Sequence, residues 1–518
     1  MPIVDAVCHA PLLISQLIAR WFGGWFGQEF WLTRFIFVRA LGGIYLVAFL
    51  GVWFQHNALF SSQGLLPAHV FLNHVKAASG SLSAAFFKLP TLFWFAVSDT
   101  WMAILALVGV GLSAAVVLGL SNGASLLVLW VIYLSFVHVG QVFYGYGWES
   151  MLLETGCLAI FLYPFFNLSA FPANHPPPKL VMALIIWVLF RNMFGSGLIK
   201  LRGGECWKDL TCLFTHFETQ PLPNPMSPWF HRLPQWMLKG GVVVNHVVEL
   251  LVPFGLLLTA PCRIVAGILT ALFQLTLIIS GNLSWLNWLT LVLCIPCFDD
   301  RLWRRLWPTQ WLPKLPADAG FALFSQGTQW ALLGLGVVVA VLSIGPIKNF
   351  FLANQAMNRS YDPFHLVNSY GAFGSVGKTR YECIIKGTIN GLDWLEYGFP
   401  AKPGATQRPH PIIAPYQPRL DWQIWFAAMG TIHQNPWLVH LVAKLLTNDP
   451  VVTTLLAKNP FKESPPLAIK IDVYQYQFAP PGSGKAWQRR WVGEYLPPIG
   501  KKTPALTQYL KARGWPTL

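Results

Sequence analysis

Residues 328–365 read TQWALLGLGVVVAVLSIGPIKNFFLANQAMNRSYDPFH, and the change inside this stretch decides the fold. Up to Phe351 it is an apolar run long enough for the ~20 residues that a bilayer-spanning helix needs. Beyond Ala353, Asn, Gln, Arg, Asp and His arrive together, and no comparable run follows. Upstream the same kind of run recurs as Phe35–Phe54, Trp101–Leu120, Ala124–Val139, Met151–Phe166, Leu180–Lys200, Val242–Ala260, Arg263–Gly281 and Leu283–Phe298. With Thr328–Phe351 this makes about nine candidate spans, of which Met151–Phe166 and Leu283–Phe298 are short enough to be tilted or re-entrant. The expected architecture is an α-helical multi-pass membrane bundle over residues 35–352. Before it, residues 1–34 suit an amphipathic or interfacial segment rather than a cleavable signal, with Leu12–Phe30 as its helix. After it, residues 353–518 are expected to form a β-rich C-terminal extramembrane domain.

Composition agrees with that division. Of 518 residues, 54% are hydrophobic and only 11% charged. A soluble domain carries about twice that charged share. The 25 Trp and 37 Phe suit aromatic belts at the membrane interfaces. The net charge is +15, and after residue 352 Lys and Arg outnumber Asp and Glu by 18 to 9. Such a tail suits an anionic lipid surface. No recognition motif accompanies the charge, so no nucleic-acid partner is expected.

The eight cysteines do not read as a disulfide framework. Cys8, Cys157, Cys262 and Cys294 lie in or near apolar runs, Cys206 and Cys212 share one loop, and Cys383 is alone in the tail. Cys294 and Cys297, with Ile295-Pro296 between them, read as small packing residues rather than a metal or redox pair. No Walker loop, dinucleotide fingerprint, zincin motif or nucleophile elbow occurs. Neither metal nor cofactor is expected.

Arg301, Arg304 and Arg305 follow a span and mark a cytoplasmic loop. The last span then carries the tail to the opposite side. In the tail, Tyr381–Gly387 and Leu467–Phe478 alternate β-branched, aromatic and polar residues as strands do. Trp422–Met429 and Pro436–Leu446 read as helices, and Lys402–Pro418 as a Pro-rich connection. Arg419 and Asp421 are expected to orient the first of these helices through local hydrogen bonds, with Trp422 in the core of the domain.

Ionisable groups inside spans are costly and therefore candidates for function. They are Arg39, His138, Glu149, Glu154, Arg191, Lys200, His246 and Glu249. Glu154 and Arg191 can pair across helices, and His246 and Glu249 share a helical face at i, i+3. Lys200 closes a span after Gly195-Ser196-Gly197, small residues that let helices approach closely. His216 and Glu218 follow in the next loop, but residues at i, i+2 do not converge on one metal. Gly371-Ala372-Phe373-Gly374 reads as a turn.

Several segments resemble the lipase maturation factor family. They are YGWESMLLETG (146–156), FRNMFGSGLIKLRGGECWKDLTCL (190–213), THFETQPLPNPMSPWFH (215–231) and SGNLSWLNWLTLVLCIPCFDD (280–300). NSYGAFGSVGKTRYECIIKGT (368–388), EYGFPAKPGATQRPHPIIAPYQPRLDWQIWFAA (396–428), NPWLVHLVAKLL (435–446) and RGWP (513–516) continue the match. The resemblance implies an endoplasmic reticulum membrane protein with its terminal domain in the lumen. Its implied role is a chaperone-like maturation factor that helps secreted proteins, lipases above all, to fold and assemble. A bacterial relative would instead place it in the inner membrane with a periplasmic tail. A second resemblance covers only the span ending at Lys200. Gly-x-x-Lys-Leu with a Trp soon after is similar to the membrane domain of vitamin K-dependent γ-glutamyl carboxylases. The alternative it implies is a membrane enzyme with Lys200 as base and Glu149 where that family has a histidine, the two sharing one cavity.

Overall fold

The computed structural model describes residues 29–306 and 324–516. The segment expected over Leu12–Phe30 therefore lies outside the described residues except at Glu29 and Phe30. Among the described residues, nine apolar helices build the N-terminal part: α1 Trp31–Phe60, α2 Asp99–Leu118, α3 Gly123–Val139, α4 Gly147–Ile160, α5 Lys179–Arg202, α6 Gln235–Leu256, α7 Ala260–Ser280, α8 Leu286–Cys294 and α9 Gln326–Phe351. Six of them (α1, α2, α5, α6, α7 and α9) are long and apolar enough to cross a membrane. The chain is thus a multi-pass integral membrane protein.

The two runs expected to be short are short, and Ala124–Val139 joins them below the length of a full span. Helix α3 has 17 residues, α4 has 14 and α8 has 9 before a short 3-10 turn. At 1.5 Å per residue, 14 residues reach only about 21 Å. These helices are short because they lie inside. Twelve of the 14 residues of α4 are buried, so neighbouring helices rather than lipid surround it. They still run between the same two ends of the bundle. At one end the Asp300 carboxylate accepts from the backbone N–H of Trp31, Leu32 and Thr33, closing the N-terminus of α1. Arg34 there donates to the carbonyls of Leu162 and His175. At the other end the loop after α1 collects the contacts: Gln141 donates to Leu66 O, and His440 of the tail meets Leu65 O at 2.7 Å.

The C-terminal part contains a four-stranded antiparallel sheet in the order β2-β1-β3-β4, with β1 Arg380–Thr388, β2 Leu395–Glu396, β3 Ala468–Phe478 and β4 Trp487–Gly500. Strand β1 is buried at seven of nine positions because α10, Arg419–Ala427, packs on it. Helix α11, Pro436–Leu446, packs on β3. Strand β4, an edge strand, was not expected. Its Gln488-Arg489-Arg490 and Pro497-Pro498 obscure the β pattern, and register shifts along β3 interrupt the pairing. One continuous hydrophobic core runs from the bundle into this part, linking Phe143 and Tyr146 with Trp422 and Trp437.

Candidate functional site

The expected polar cluster resolves into three constellations. The first begins at α4. Its N-terminal turn presents Glu149, fully buried, to Tyr133 of α3 and to Arg419, which donates to Glu149 Oε1 at 2.8 Å. Arg419 also donates to Phe143 O at 2.6 Å and lies 3.4 Å from the centre of the Tyr144 ring. Its backbone N–H reaches Gln55 of α1, whose amide in turn donates to Gln417 O. Arg419 is therefore not a local helix-orienting group, as expected, but a bolt from the tail into the bundle. Asp421 does act locally, accepting from the N–H of Ala401 and Lys402 at 2.6 and 2.8 Å. Burial pushes its carboxyl up to about 6, opposed by those two backbone donors. Trp422 is buried, but against Trp148 and Tyr146 of the bundle, at ring-centre distances of 5.2 and 6.1 Å. It belongs to the junction rather than to a separate tail core.

One turn further along α4, Ser150 and Glu154 share a face at i, i+4. Glu154 pairs with Arg191 of α5, both side chains within 1% of full burial. The tail completes this second group. Asn368 donates its backbone and side-chain N–H to Glu154 at 3.1 and 3.0 Å, and Tyr370 donates at 2.6 Å. Arg191 returns a bond to Asn368 O at 2.6 Å. His138 stands beside it, bonded to Pro363 O at 2.9 Å with its ring 5.5 Å from that of His365. Asn368, Tyr370, Gln55 and Gln417 were not singled out beforehand. None of the four is charged, so none draws notice as a costly charge in a span.

The third constellation holds Lys200, and it corrects the proposed pairing with Glu149. Lys200 Nζ lies 2.6 Å from both oxygens of Glu249 and 3.1 Å from Asn245 Oδ1. Glu149 and Lys200 thus sit on different partners. The reason is direction: α4 turns Glu149 toward α3 and the tail, whereas Lys200 at the far end of α5 faces α6. Helix α6 is π-wound over Val247–Leu251, and Glu249 shares its face with Asn245, 2.9 Å away. His246 turns instead to Trp207 O at 3.1 Å. His216 and Glu218 also diverge, His216 packing on Phe373 at 5.0 Å and Glu218 accepting from Phe478 N–H at 2.8 Å. Among the described residues no group of three His, Cys, Asp or Glu is placed to hold a metal.

Gly195 and Gly197 make the close approach that their size suggested. A Cβ on Gly195 would stand 2.5 Å from Tyr370 O, and one on Gly197 2.8 Å from Leu250. Residues 371–374 are accordingly more than a turn. They form a strap across the end of α5, where Gly204 N–H donates to Gly374 O and Trp207 Nε1 to Phe373 O. Below the strap, Cys206 and Cys212, which share one loop, are joined in a disulfide. Cys294 and Cys297 are buried free thiols.

Two family models align along the chain: a lipase maturation factor transmembrane domain over residues 32–305 and a lipase maturation factor C-terminal domain over residues 366–497. Lipase maturation factor 1 of Mus musculus is 43% identical over 522 residues, covering 94% of this chain and 90% of that protein. The Homo sapiens protein of the same name is 40% identical over 516 residues, covering 94% and 91%. Lipase maturation factor 2 of Mus musculus is 31% identical over 604 residues, covering 92% and 84%. No solved structure matches the chain. Likeness at this level over nearly the whole length leaves one conclusion: the chain belongs to the lipase maturation factor family.

Proposed function

We propose that this protein is a membrane-embedded, chaperone-like maturation factor of the endoplasmic reticulum whose clients are secreted lipases. One observation carries the choice of chaperone over membrane enzyme. At the tip of the sheet, Ile389, Leu392, Leu395 and Leu467 are 62%, 83%, 50% and 62% exposed. They are neighbours: Leu467 N–H donates to Thr388 O, and Leu395 pairs with Gly387 in the sheet. A cluster of exposed apolar side chains of this kind marks a surface for another protein. The enzyme reading rested on Lys200 beside Glu149, and Lys200 instead meets Glu249.

On this reading residues 353–518 face the lumen. Arg301, Arg304 and Arg305 lie at the Asp300 end of the bundle, and the tail docks at the other end. The positive-inside rule then puts the tail away from the cytoplasm. A cysteine engineered at exposed Leu392 should react with an impermeant maleimide from the lumenal side alone; reaction only from the cytoplasmic side would reverse the topology.

The functional test is co-expression with a secreted lipase in cells lacking their own maturation factor. The combined variant Ile389→Asp/Leu392→Asp should keep normal abundance and lower active secreted lipase about tenfold, the effect of losing roughly 1.4 kcal/mol of docking. Undiminished lipase output from that variant would remove the patch from the mechanism.

A further inference from the structure

Helices α5, α6, α7 and α8 enclose a cavity of about 380 Å³ beneath the Phe373 strap. That is the size class of small-ligand sites. One wall is a polar stripe on α5, Asn192, Ser196 and Lys200, which the helix repeat places in line at i, i+4 and i+8. The mouth is apolar. Val244, Leu269 and Leu272 line it and are 55%, 41% and 56% exposed on the outer surface of the membrane bundle, so the cavity opens toward lipid.

Charge in the cavity is already matched. Lys200 is held by both oxygens of Glu249. His216, at the strap end, is pushed down to about 4 by burial and by Lys200, and is neutral near pH 7. An anionic headgroup would have to displace Glu249, and a cationic one would have to compete with Lys200 for it.

The deeper wall has unused hydrogen-bonding capacity. Asn287 and Gln274 are each 3% exposed. Asn287 Nδ2 donates to Gln274 Oε1 at 2.8 Å, which holds the two amides side by side. Asn287 Oδ1 has no partner among the described residues. Gln274 Nε2 reaches the Met193 sulfur, a weak acceptor, at 3.5 Å. A buried acceptor without a donor is costly. Here an unsatisfied acceptor and a poorly satisfied donor lie together, and a hydroxyl group, which both donates and accepts, complements such a pair.

We propose that this cavity binds a neutral, hydroxyl-bearing lipid drawn from the surrounding membrane. Its hydroxyl donates to Asn287 Oδ1 and accepts from Gln274 Nε2, and its hydrocarbon leaves between Val244 of α6 and the Leu269 and Leu272 turn of α7. Glycerol monoesters and sterols share this chemistry. The site is independent of the client surface on the sheet and does not rest on the chaperone reading.

The test uses the purified full-length protein in phosphatidylcholine nanodiscs. Four diazirine probes are compared: a monoacylglycerol, a sterol, a fatty acid and a phosphatidylcholine, with crosslinked peptides located by mass spectrometry. One of the two neutral hydroxyl probes should label residues 269–287 about tenfold more than the acid and phosphatidylcholine probes, the discrimination that the net value of one hydrogen bond produces. Whichever neutral probe labels identifies the source. Gln274→Leu/Asn287→Leu removes both amides together, leaving no stranded partner, and should abolish that preference while the unfolding temperature holds. Leu272→Trp, which fills the mouth and leaves the amides intact, should abolish it as well. Equal labelling by all four probes, preference for the acid, or an undiminished preference in a folded double-Leu or Leu272→Trp protein would overturn the proposal.

Discussion

Two buried ion pairs in this protein each join a cation to a glutamate, in opposite surroundings. Glu149–Arg419 joins residues 270 positions apart, with both side chains fully buried among Tyr133, Tyr144 and Trp285. Lys200–Glu249 joins two helices of the bundle and borders a cavity. The first is packed on every side and spans the join between bundle and tail. The second has space beside it. A buried pair in dense packing cannot lose one member without stranding the other, whereas a pair beside a cavity can recruit water or rearrange.

That contrast sets the size of the expected effects. Arg419→Ala should cost the most, toward the top of the ~3–5 kcal/mol range for an uncompensated buried charge. It should appear as low abundance and a lowered unfolding temperature of the full chain. Arg419→Met combined with Glu149→Leu should recover most of the loss. If the double variant is no better than Arg419→Ala, the pair is not coupled and the comparison breaks.

Trp422→Ala comes next, at about 3 kcal/mol for a buried aromatic. Because Trp422 packs on Trp148 and Tyr146, the loss should also loosen the tail from the bundle. Limited proteolysis would then cut between residues 352 and 366 faster than in the parent protein. An unchanged cleavage rate with lowered stability would return Trp422 to a core of the tail alone.

For the pair beside the cavity, Lys200→Met should cost about 2 kcal/mol, the value of hydrogen bonds to a charged group. Lys200→Arg keeps the charge and cannot deprotonate in the useful range, so it should retain most lipase maturation. Normal abundance with complete loss of activity in Lys200→Arg would sharpen the comparison in the other direction, by making Lys200 a titrating base.

The smallest effect is a pH dependence at Asp421. Its folded value, about 6, lies above the ~3.9 of an unfolded Asp, so its stabilising contribution is full below about pH 4 and is lost as pH rises through 6. Between pH 7 and 5 the parent should gain about 1 kcal/mol relative to Asp421→Asn, which keeps the Oδ1 acceptor. Parallel stability curves for the two proteins would show that Asp421 does not titrate in this window.

Much of the architecture was legible in the sequence because hydrophobic periodicity is local. Each of the nine apolar runs is a helix, and the two expected strands lie within a residue of β1 and β3. Glu154 and Arg191, costly alone, do meet. The polar residues around them were not legible. Asn368 and Tyr370 sit in a tail loop, and nothing nearby in the chain shows that Glu154, 214 positions earlier, will receive them. Strand β4 was missed because its charged and proline residues face solvent at a sheet edge, where local pattern is weakest.

By itself the sequence determined the membrane class, the point where the bundle gives way to the tail's polarity, and which charged residues fall inside apolar runs. Length and apolar periodicity decide those within one element. Only the tertiary structure decided the partners: Arg419 with Glu149, Glu154 with Asn368 and Tyr370, and Lys200 with Glu249. A side chain's partner depends on the direction its helix takes and on close approaches such as Gly195 against Tyr370 O. Those are properties of packing between distant segments, and no local pattern encodes them.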